Sequence, residues 1–228
     1  MVSRLSLCIS VVLLNCGISS AQLYYVNLPP GHNKITLGDN RIPGMAGSPY
    51  LSDEWSVGNI TLHNGNVIEK LEMRYNVYAG EIHYKYDGKV YILGSPDSVR
   101  YISLNEGRYF VYLPFTDKKK GMQKDYFEYL SGDVAQLLAR HTVTVIKANY
   151  NVALDAGEKD DRLEHKSDYY LRKDKSIVLI DRKGENLLNL LSDKSRELRD
   201  FVSKNRLSYT READLKRIVE HYNSFHRN

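Results

Sequence analysis

The sequence predicts a mainly β protein of the α+β class: an antiparallel meander that forms a rolled sheet, a partial barrel or a sandwich, closed by two C-terminal amphipathic helices. Short runs rich in Val, Ile and Tyr recur through the middle of the chain, separated by Asn-Gly, Ala-Gly and Asp-Gly pairs. No helical period interrupts these runs, which favours an antiparallel sheet. Near the C-terminus the apolar spacing becomes helical.

The start of the chain has the pattern of a secretory signal peptide. Arg4 supplies the positive charge, and residues 5–14 form an apolar run that is too short to span a membrane with ease. Small residues follow and end at Ala21, so cleavage is expected between Ala21 and Gln22. The pattern predicts export, to the periplasm or to the outer membrane.

Residues 13–16 leave a second route of export open. They resemble a lipoprotein box, in which Cys16 would carry the lipid, although Asn15 stands where Gly, Ala or Ser is usual. Cys8 and Cys16 are the only two cysteines, so cleavage after Ala21 would leave a mature chain that depends on its core and not on disulfides. No later apolar run is long enough to cross a bilayer, so the mature chain is expected to be soluble or peripheral to the membrane, or lipid-anchored by the second route.

Composition divides the rest of the chain into three parts. Residues 22–54 are rich in Gly, Pro and Asn and predict an extended leader, with one edge strand near residues 23–27. Residues 55–183 are expected to form the antiparallel β domain, and residues 184–228 a helical pair packed on its sheet. The charged segment at residues 151–166 is predicted to be a loop.

Turn signals and β-branched or aromatic runs place the individual elements. Strands are expected at residues 59–62, 67–78, 81–86, 89–93, 99–104, 108–113, 125–130, 134–140, 142–146, 169–172 and 176–180, and helices at residues 186–205 and after Thr210 as the N-cap. The alternation of residues 67–71 conflicts with a regular hairpin, and this predicts a β-bulge near Glu69 and Lys70.

Two turns predict the same buried face. If Ala79-Gly80 is a two-residue turn, Val77 pairs with Ile82 and Tyr75 with Tyr84. The next turn, Asp87-Gly88, pairs Tyr84 with Tyr91 and Ile82 with Leu93 on that same face. All these side chains are therefore expected to lie on one apolar side of the sheet.

The opposite face of this hairpin is expected to be wet and to offer a ligand surface made of Arg74, Asn76, Glu81 and His83. Val90 and Ile92 also fall on it, so part of it should be covered. Eighteen tyrosines against five phenylalanines suit such a half-exposed sheet, because the ring packs while the hydroxyl meets water.

Several classes of site are excluded by pattern. The 32 basic residues are balanced by 28 acidic ones and form no stripe, which argues against nucleic acid as a partner. The seven histidines show no metal-binding spacing, and the acidic stretch at residues 155–164 lacks the order of an EF-hand loop. No nucleophile elbow or phosphate-binding Gly-rich loop is present. We therefore expect no cofactor, no metal and no catalytic residues.

Three short segments support a family resemblance. They are Gly47-Ser48-Pro49-Tyr50-Leu51-Ser52-Asp53-Glu54-Trp55, Gly58-x-Ile60-x-Leu62 and Met73-Arg74-Tyr75-Asn76-Val77-Tyr78. Together with the tail from Leu198 to Ser224 they resemble a set of small exported proteins of Bacteroidota. The resemblance implies a cell-envelope address and supplies no reaction. Asp97-Ser98-Val99 also resembles the O-glycosylation acceptor of such bacteria, with Ser98 as the modified residue.

These observations favour a non-catalytic envelope protein that binds a protein or glycan partner. A secreted hydrolase of glycan or peptide, using Glu72, Glu81 or His83, is the first alternative. A periplasmic carrier of lipid or another apolar ligand, with the helices over a half-open barrel, is the second.

Overall fold

The protein is mainly β, as the sequence predicts, and its strands form one open sheet. The computed structural model describes residues 45–104, 107–117, 119–150 and 154–227. The predicted signal peptide, Cys16, the cleavage pair Ala21 and Gln22, and the predicted edge strand at residues 23–27 lie outside these residues.

Eleven strands and three α-helices make up the described chain. The strands are β1 (Met45–Ala46), β2 (Ser56–Leu62), β3 (Val67–Asn76), β4 (Glu81–Tyr86), β5 (Lys89–Ile92), β6 (Val99–Leu104), β7 (Arg108–Asp117), β8 (Gly121–Gly132), β9 (Ala135–Ile146), β10 (Asp161–Lys173) and β11 (Ser176–Leu179). The helices are α1 (Glu185–Leu190), α2 (Ser195–Lys204) and α3 (Glu212–Ser224), with short 3-10 turns at Pro96–Ser98 and Ser192–Lys194.

The sheet runs in the order β1-β10-β9-β8-β7-β6-β2-β3-β4-β5, and β11 pairs with the far end of β10. Every pairing is antiparallel except that of β1 with β10. The sheet is rolled, because β11 also contacts β7 although three strands separate them in the sheet. The predicted rolled sheet is confirmed.

The first predicted hairpin register is wrong by two residues. Asn76 pairs with Glu81, so a four-residue turn at residues 77–80 replaces the predicted two-residue turn. Asn76 Oδ1 accepts a hydrogen bond from Ala79 N at 3.0 Å, which supports the longer turn. A shift of two positions preserves side-chain direction, so Tyr75 and Ile82 are buried on the predicted face all the same.

The second turn and the bulge are confirmed. Asp87 and Gly88 both have positive φ, as a type I′ turn requires, and Tyr84 pairs with Tyr91. Gly58 pairs with Leu71 and Ile60 pairs with Ile68, so β3 has one residue more than β2 between these two pairs. Lys70, which lies in this bulge, has a φ of 56°. Lys70 N donates to Asn59 Oδ1 at 2.9 Å, which holds the bulge in place.

One loop prediction and one pair of strand predictions are wrong, because β9 and β10 are longer than their apolar runs. The predicted loop at residues 151–166 ends early, since β10 starts at Asp161 and pairs with β9 from Arg162 onward. The predicted strands at residues 134–140 and 142–146 form the single strand β9. Pairing between backbones extends these strands through charged stretches that local composition assigns to a loop.

The predicted helix at residues 186–205 is two helices, α1 and α2, interrupted by the 3-10 turn at Ser192–Lys194. Asp193 in this turn accepts hydrogen bonds from the hydroxyl of Tyr222, at 3.1 and 3.2 Å, and from Lys173 Nζ at 3.0 Å. The last helix starts one residue later than predicted, with Arg211 and not Thr210 as the N-cap. The prediction of helices packed on the sheet is correct, and their number is three.

Two different groups of elements pack on the two ends of one face of the central strands. On this face of β9, Leu137 packs under the helices, whereas Val143 packs against the cluster of β2–β5. Leu138 points to the other face, into a cluster with Phe115, Phe127 and Tyr170. Between Leu137 and Val143, His141 lies on the same side of the strand, where neither cover is complete.

Candidate functional site: a tyrosine-lined cleft between diverging strands

The sheet opens between β6 and β7. The two strands pair only where Ile102, Ser103 and Leu104 meet residues 108–110, while β7 continues to Asp117. Beyond Phe110 they separate, and a cleft of about 650 Å³ lies between them. The lining side chains come from five strands and the loop after β2: His63, Val99, Arg100, Tyr101, Tyr109, Val111, Tyr112, Leu113, Tyr129, Gln136 and Arg172.

Four tyrosines give this cleft its character. The rings of Tyr101 and Tyr109 meet edge to face with centroids 6.2 Å apart, and Tyr109 is 43% exposed. Burial raises the pKa of Tyr112 and of Tyr129, so both hydroxyls stay neutral at physiological pH. The hydroxyl of Tyr129 donates to the carbonyl of Gly132, which fixes its ring. The cleft thus offers aromatic faces together with neutral hydroxyls.

The charges of the cleft have one sign. Arg100 and His63 are exposed at its rim, and Arg172 is half-buried. One terminal nitrogen of Arg172 lies 3.5 Å from Gln136 Oε1. No Asp or Glu is among the described residues that line the cleft. An anionic ligand would therefore meet guanidinium groups without a competing carboxylate.

A second divergence occurs between β8 and β9, which pair only at residues 128–132 and 136–139. It contains a cleft of about 510 Å³, bounded on one side by the β3–β4 turn. Asp125 Oδ2 and Arg140 Nε meet there at 2.7 Å, and Lys120 and Asp117 lie at its mouth. Both signs of charge are present, and the central pair satisfies itself, so this cleft has no clear preference for a charged ligand.

A row of polar side chains crosses the covered face of the central strands. Arg108 of β7 donates two hydrogen bonds to Glu128 of β8, from Nε to Oε1 at 2.7 Å and from a terminal nitrogen to Oε2 at 2.8 Å. His141 Nε2 lies 2.7 Å from Glu128 Oε2, and His141 Nδ1 lies 2.8 Å from Ser167 Oγ. Burial tends to raise the pKa of Glu128, but the hydrogen bonds from Arg108 and His141 and the charge of Arg108 prevail and lower it to about 2.

The structure separates the predicted ligand surface from these clefts and covers it. Arg74 and His83 are 6% and 2% exposed, so the expectation of a wet face is wrong at both. Tyr50 causes the burial: its hydroxyl accepts from Arg74 at 3.0 Å and lies 3.3 Å from His83 Nδ1. Trp55 covers Arg74 from outside, with the guanidinium carbon 4.2 Å from its ring centroid.

Within this cluster each predicted residue has a structural partner. Burial lowers the pKa of His83, although the hydrogen bond and charge of Glu81 act in the opposite direction, with Oε2 3.2 Å from Nε2. Asn76 supports the β3–β4 turn, and Glu72 pairs with Lys85 at 2.9 Å. The structure thus brings Arg74, Glu81 and His83 together, under the segment that carries Tyr50 and Trp55.

Ser98, the predicted O-glycosylation site, ends the 3-10 turn before β6. It is half-buried, and its hydroxyl donates to the carbonyl of Ser95 at 2.7 Å. Modification of Ser98 stays a prediction, because no contact here tests it.

Comparison with protein-family models, curated proteins and solved structures finds no match. The resemblance to exported proteins of Bacteroidota therefore remains a prediction. Within the described ranges, no helix combines the length and apolar character needed to cross a bilayer. In the same ranges, no three His, Cys, Asp or Glu side chains are placed to hold a metal ion together.

Sequence reasoning missed both the cleft and the polar row. Tyr101, Tyr109 and Tyr129 are visible in the sequence as strand tyrosines, and the high tyrosine content is the one signal that could have pointed to them. Their convergence depends on which strands diverge, and Arg172 joins them from a strand some 60 positions away. The row from Arg108 to Ser167 likewise contains one residue from each of four strands, without any local motif.

Proposed function

We propose that this protein is an exported cell-envelope protein whose tyrosine-lined cleft binds an anionic glycan without catalysing a reaction on it. The observation that carries the proposal is the composition of the cleft wall: its described residues include four tyrosines, two arginines and one histidine, and no carboxylate is among them. The volume of about 650 Å³ is in the range of small-molecule sites and suits a short stretch of sugar units.

Aromatic rings suit sugars because a pyranose has an apolar face of C–H groups between its polar edges. Tyr109, which is 43% exposed, offers an open ring for such a face, and Tyr101 holds that ring from the side. Tyr112, Tyr129 and Gln136 line the same cleft and are half-buried, and their hydroxyl and amide groups can exchange hydrogen bonds with sugar hydroxyls.

The arginines determine the expected charge of the glycan. A guanidinium presents paired N–H donors that match a carboxylate or a sulfate in two-point contacts. Arg172 is half-buried in the cleft wall and Arg100 is exposed, so an acidic sugar would meet two cations that differ in their exposure to solvent. A neutral glycan would offer neither guanidinium a partner of opposite charge.

Two structural observations favour surface binding over the alternative functions. The side chains between the helices and the sheet, such as Leu188, Leu215 and Ile218, are fully buried and pack on one another, whereas an apolar carrier needs a cavity there. Glu72, Glu81 and His83, the residues considered for a hydrolase, are engaged with Lys85, Tyr50 and each other.

Isothermal titration with tri-galacturonate, its methyl ester and matched sulfated and phosphorylated oligosaccharides tests the proposal. We expect the wild type to bind at least one acidic glycan. Its affinity should fall about tenfold or more when the glycan is esterified or when the protein carries Arg172→Gln, and it should also fall at high salt. Tyr109→Ala should weaken the same glycan.

Arg162→Gln is the matched control, because Arg162 lies exposed on the same strand at its other end. It should bind like the wild type. Equal affinity for the acid and its ester, an unaffected Arg172 variant, or no binding by any acidic glycan in the panel would each overturn the proposal.

The export part of the proposal rests on the signal pattern at residues 1–21. Intact-mass measurement of the protein purified from a bacterial envelope fraction should give a chain that starts at Gln22. A mass that corresponds to a lipidated Cys16 would establish the lipoprotein route instead, and an uncleaved cytoplasmic chain would contradict export.

A further inference from the structure

The polar row across β7–β10 contains a second site of chemical interest. We propose that Ser167 is an activated nucleophile that accepts the acyl group of a small ester, with His141 as its general base and Glu128 as the group that orients the imidazole. This activity is separate from glycan binding, since none of these three residues lines the tyrosine-lined cleft.

Geometry supplies the first argument. Ser167 and His141 stand directly opposite each other in the β9–β10 pairing, and Ser167 Oγ lies 2.8 Å from His141 Nδ1. His141 Nε2 lies 2.7 Å from Glu128 Oε2 on the other side of the ring. A nucleophile, a base and an orienting carboxylate within hydrogen-bond reach are the arrangement that nucleophilic catalysis needs.

The tautomer follows from the partners. An ionised carboxylate only accepts hydrogen bonds, so the neutral imidazole must present its N–H from Nε2 to Glu128. Nδ1 then has the lone pair and faces the hydroxyl of Ser167, which is the orientation a general base requires. The two-point grip of Arg108 on Glu128 keeps the carboxylate in this position, and the lowered pKa of Glu128, about 2, keeps it ionised.

Access supplies the second argument. Ser167 is exposed, although Glu128 behind it is only 8% exposed. On the outer edge of β10, β1 pairs with Asp161 and Arg162 and β11 with Tyr170–Lys173, and no described strand pairs with the stretch between them. An ester can therefore approach the hydroxyl from solvent.

The backbone of that same edge supplies a donor for the oxyanion. Ile180 N donates to the carbonyl of Tyr169 at 2.8 Å, so the backbone groups of Tyr169 point outward from the sheet. By alternation the N–H of Ser167, two residues earlier, points outward too. It lies on the stretch of β10 with which no described strand pairs, where it can donate to the oxygen that gains charge when the Ser167 hydroxyl adds to a carbonyl.

The chemical step balances with water as the second substrate. Ser167 Oγ bonds to the ester carbonyl carbon while its proton moves to His141 Nδ1. The ester C–O bond then breaks, the leaving alcohol takes that proton, and an acyl-serine remains. Water adds to the acyl-serine with the same base, which releases the carboxylic acid and restores the serine hydroxyl.

Labelling with a fluorophosphonate probe, in which the serine oxygen displaces fluoride, tests the nucleophile directly. We expect one adduct, mapped by peptide mass spectrometry to Ser167, together with slow turnover of p-nitrophenyl acetate.

Ser167→Ala should lose the adduct and the turnover, whereas the control Ser176→Ala, at an exposed serine of β11, should retain both. His141→Asn should slow labelling at least about tenfold while Ser167 remains in place. An unlabelled Ser167 in the folded wild type, or labelling in the His141 variant at the wild-type rate, would refute the proposal. Circular dichroism shows which variants are folded. If the His141 variant is not folded, the test of the nucleophile depends on Ser167→Ala alone.

Discussion

At the scale of single residues, the covered faces of this sheet admit polar groups only in connected sets. Glu128 illustrates this, since Arg108 donates to both of its carboxylate oxygens and His141 Nε2 contacts Oε2 as well. Tyr50, Arg74 and His83 form a second set on β3 and β4. A buried charge without such partners would cost several kcal/mol, so each set stabilises the sheet only as a whole.

Glu128 gives a prediction of pH dependence. Its pKa falls from 4.5 to about 2 on folding, so the carboxylate stabilises the native state above pH 4.5 and this contribution disappears as the pH falls toward 2. Glu128→Gln should lower the free energy of unfolding by roughly 3 kcal/mol at pH 7. Urea unfolding of variant and wild type between pH 7 and pH 2 measures the difference.

The difference between the two proteins should shrink as the pH falls through that window. Glu164→Gln, at an exposed position of β10, is the control and should change stability little at any pH. A Glu128 effect that is the same at pH 2.5 and at pH 7 would contradict the assigned cause.

At the scale of elements, strand length decides where the sheet opens. β7 pairs with β8 through to the hairpin tip, from Tyr109 to Asp117, but with β6 at only three positions. Pro114 fits this plan, because a residue without an N–H is tolerated where one edge of a strand is left unpaired. The cleft is thus the space left by a long hairpin beside a short strand.

The docking of α3 on the sheet depends on one buried amide. Asn223 accepts a hydrogen bond from Ala135 N and donates one to Ala135 O, both at 2.8 Å. Asn223→Ala should destabilise the protein by about 2–3 kcal/mol, because it leaves the buried N–H of Ala135 without an acceptor. Glu220→Ala, an exposed change on the same helix, is the control.

Urea unfolding and amide exchange at Ala135 measure this effect. The Ala135 amide should exchange faster in the Asn223 variant and at the wild-type rate in the Glu220 variant. Unchanged stability with unchanged exchange would mean that apolar packing alone holds α3.

At the scale of the whole molecule, two separate covers meet on one face of the central strands. The helices cover the end near Leu137, and β2–β5 fold over the end near Val143, where Tyr75 packs edge to face on Phe110 and Tyr126. His141 and Glu128 lie in the seam between these covers. In this seam a carboxylate of low exposure lies near the exposed Ser167, and the proposed acyl transfer depends on this arrangement.

The sequence by itself determined the mainly β class, the Asp87-Gly88 turn, the bulge at Lys70 and the face on which Tyr75 and Ile82 are buried. These features depend on backbone dihedrals and on side-chain alternation over a few residues, which local sequence specifies. Even the two-residue error in the first hairpin left the buried face intact, because alternation has a period of two.

Only the tertiary structure decided which strands separate, that Tyr50 covers Arg74 and His83, and that Arg108, Glu128, His141 and Ser167 stand in one row. Each of these depends on contacts between residues far apart in the chain, and pairing can extend a strand such as β10 through residues whose local preference is for a loop. Local sequence therefore fixes the direction of each side chain, and strand order fixes its neighbours. The clefts and the polar row follow from the neighbours.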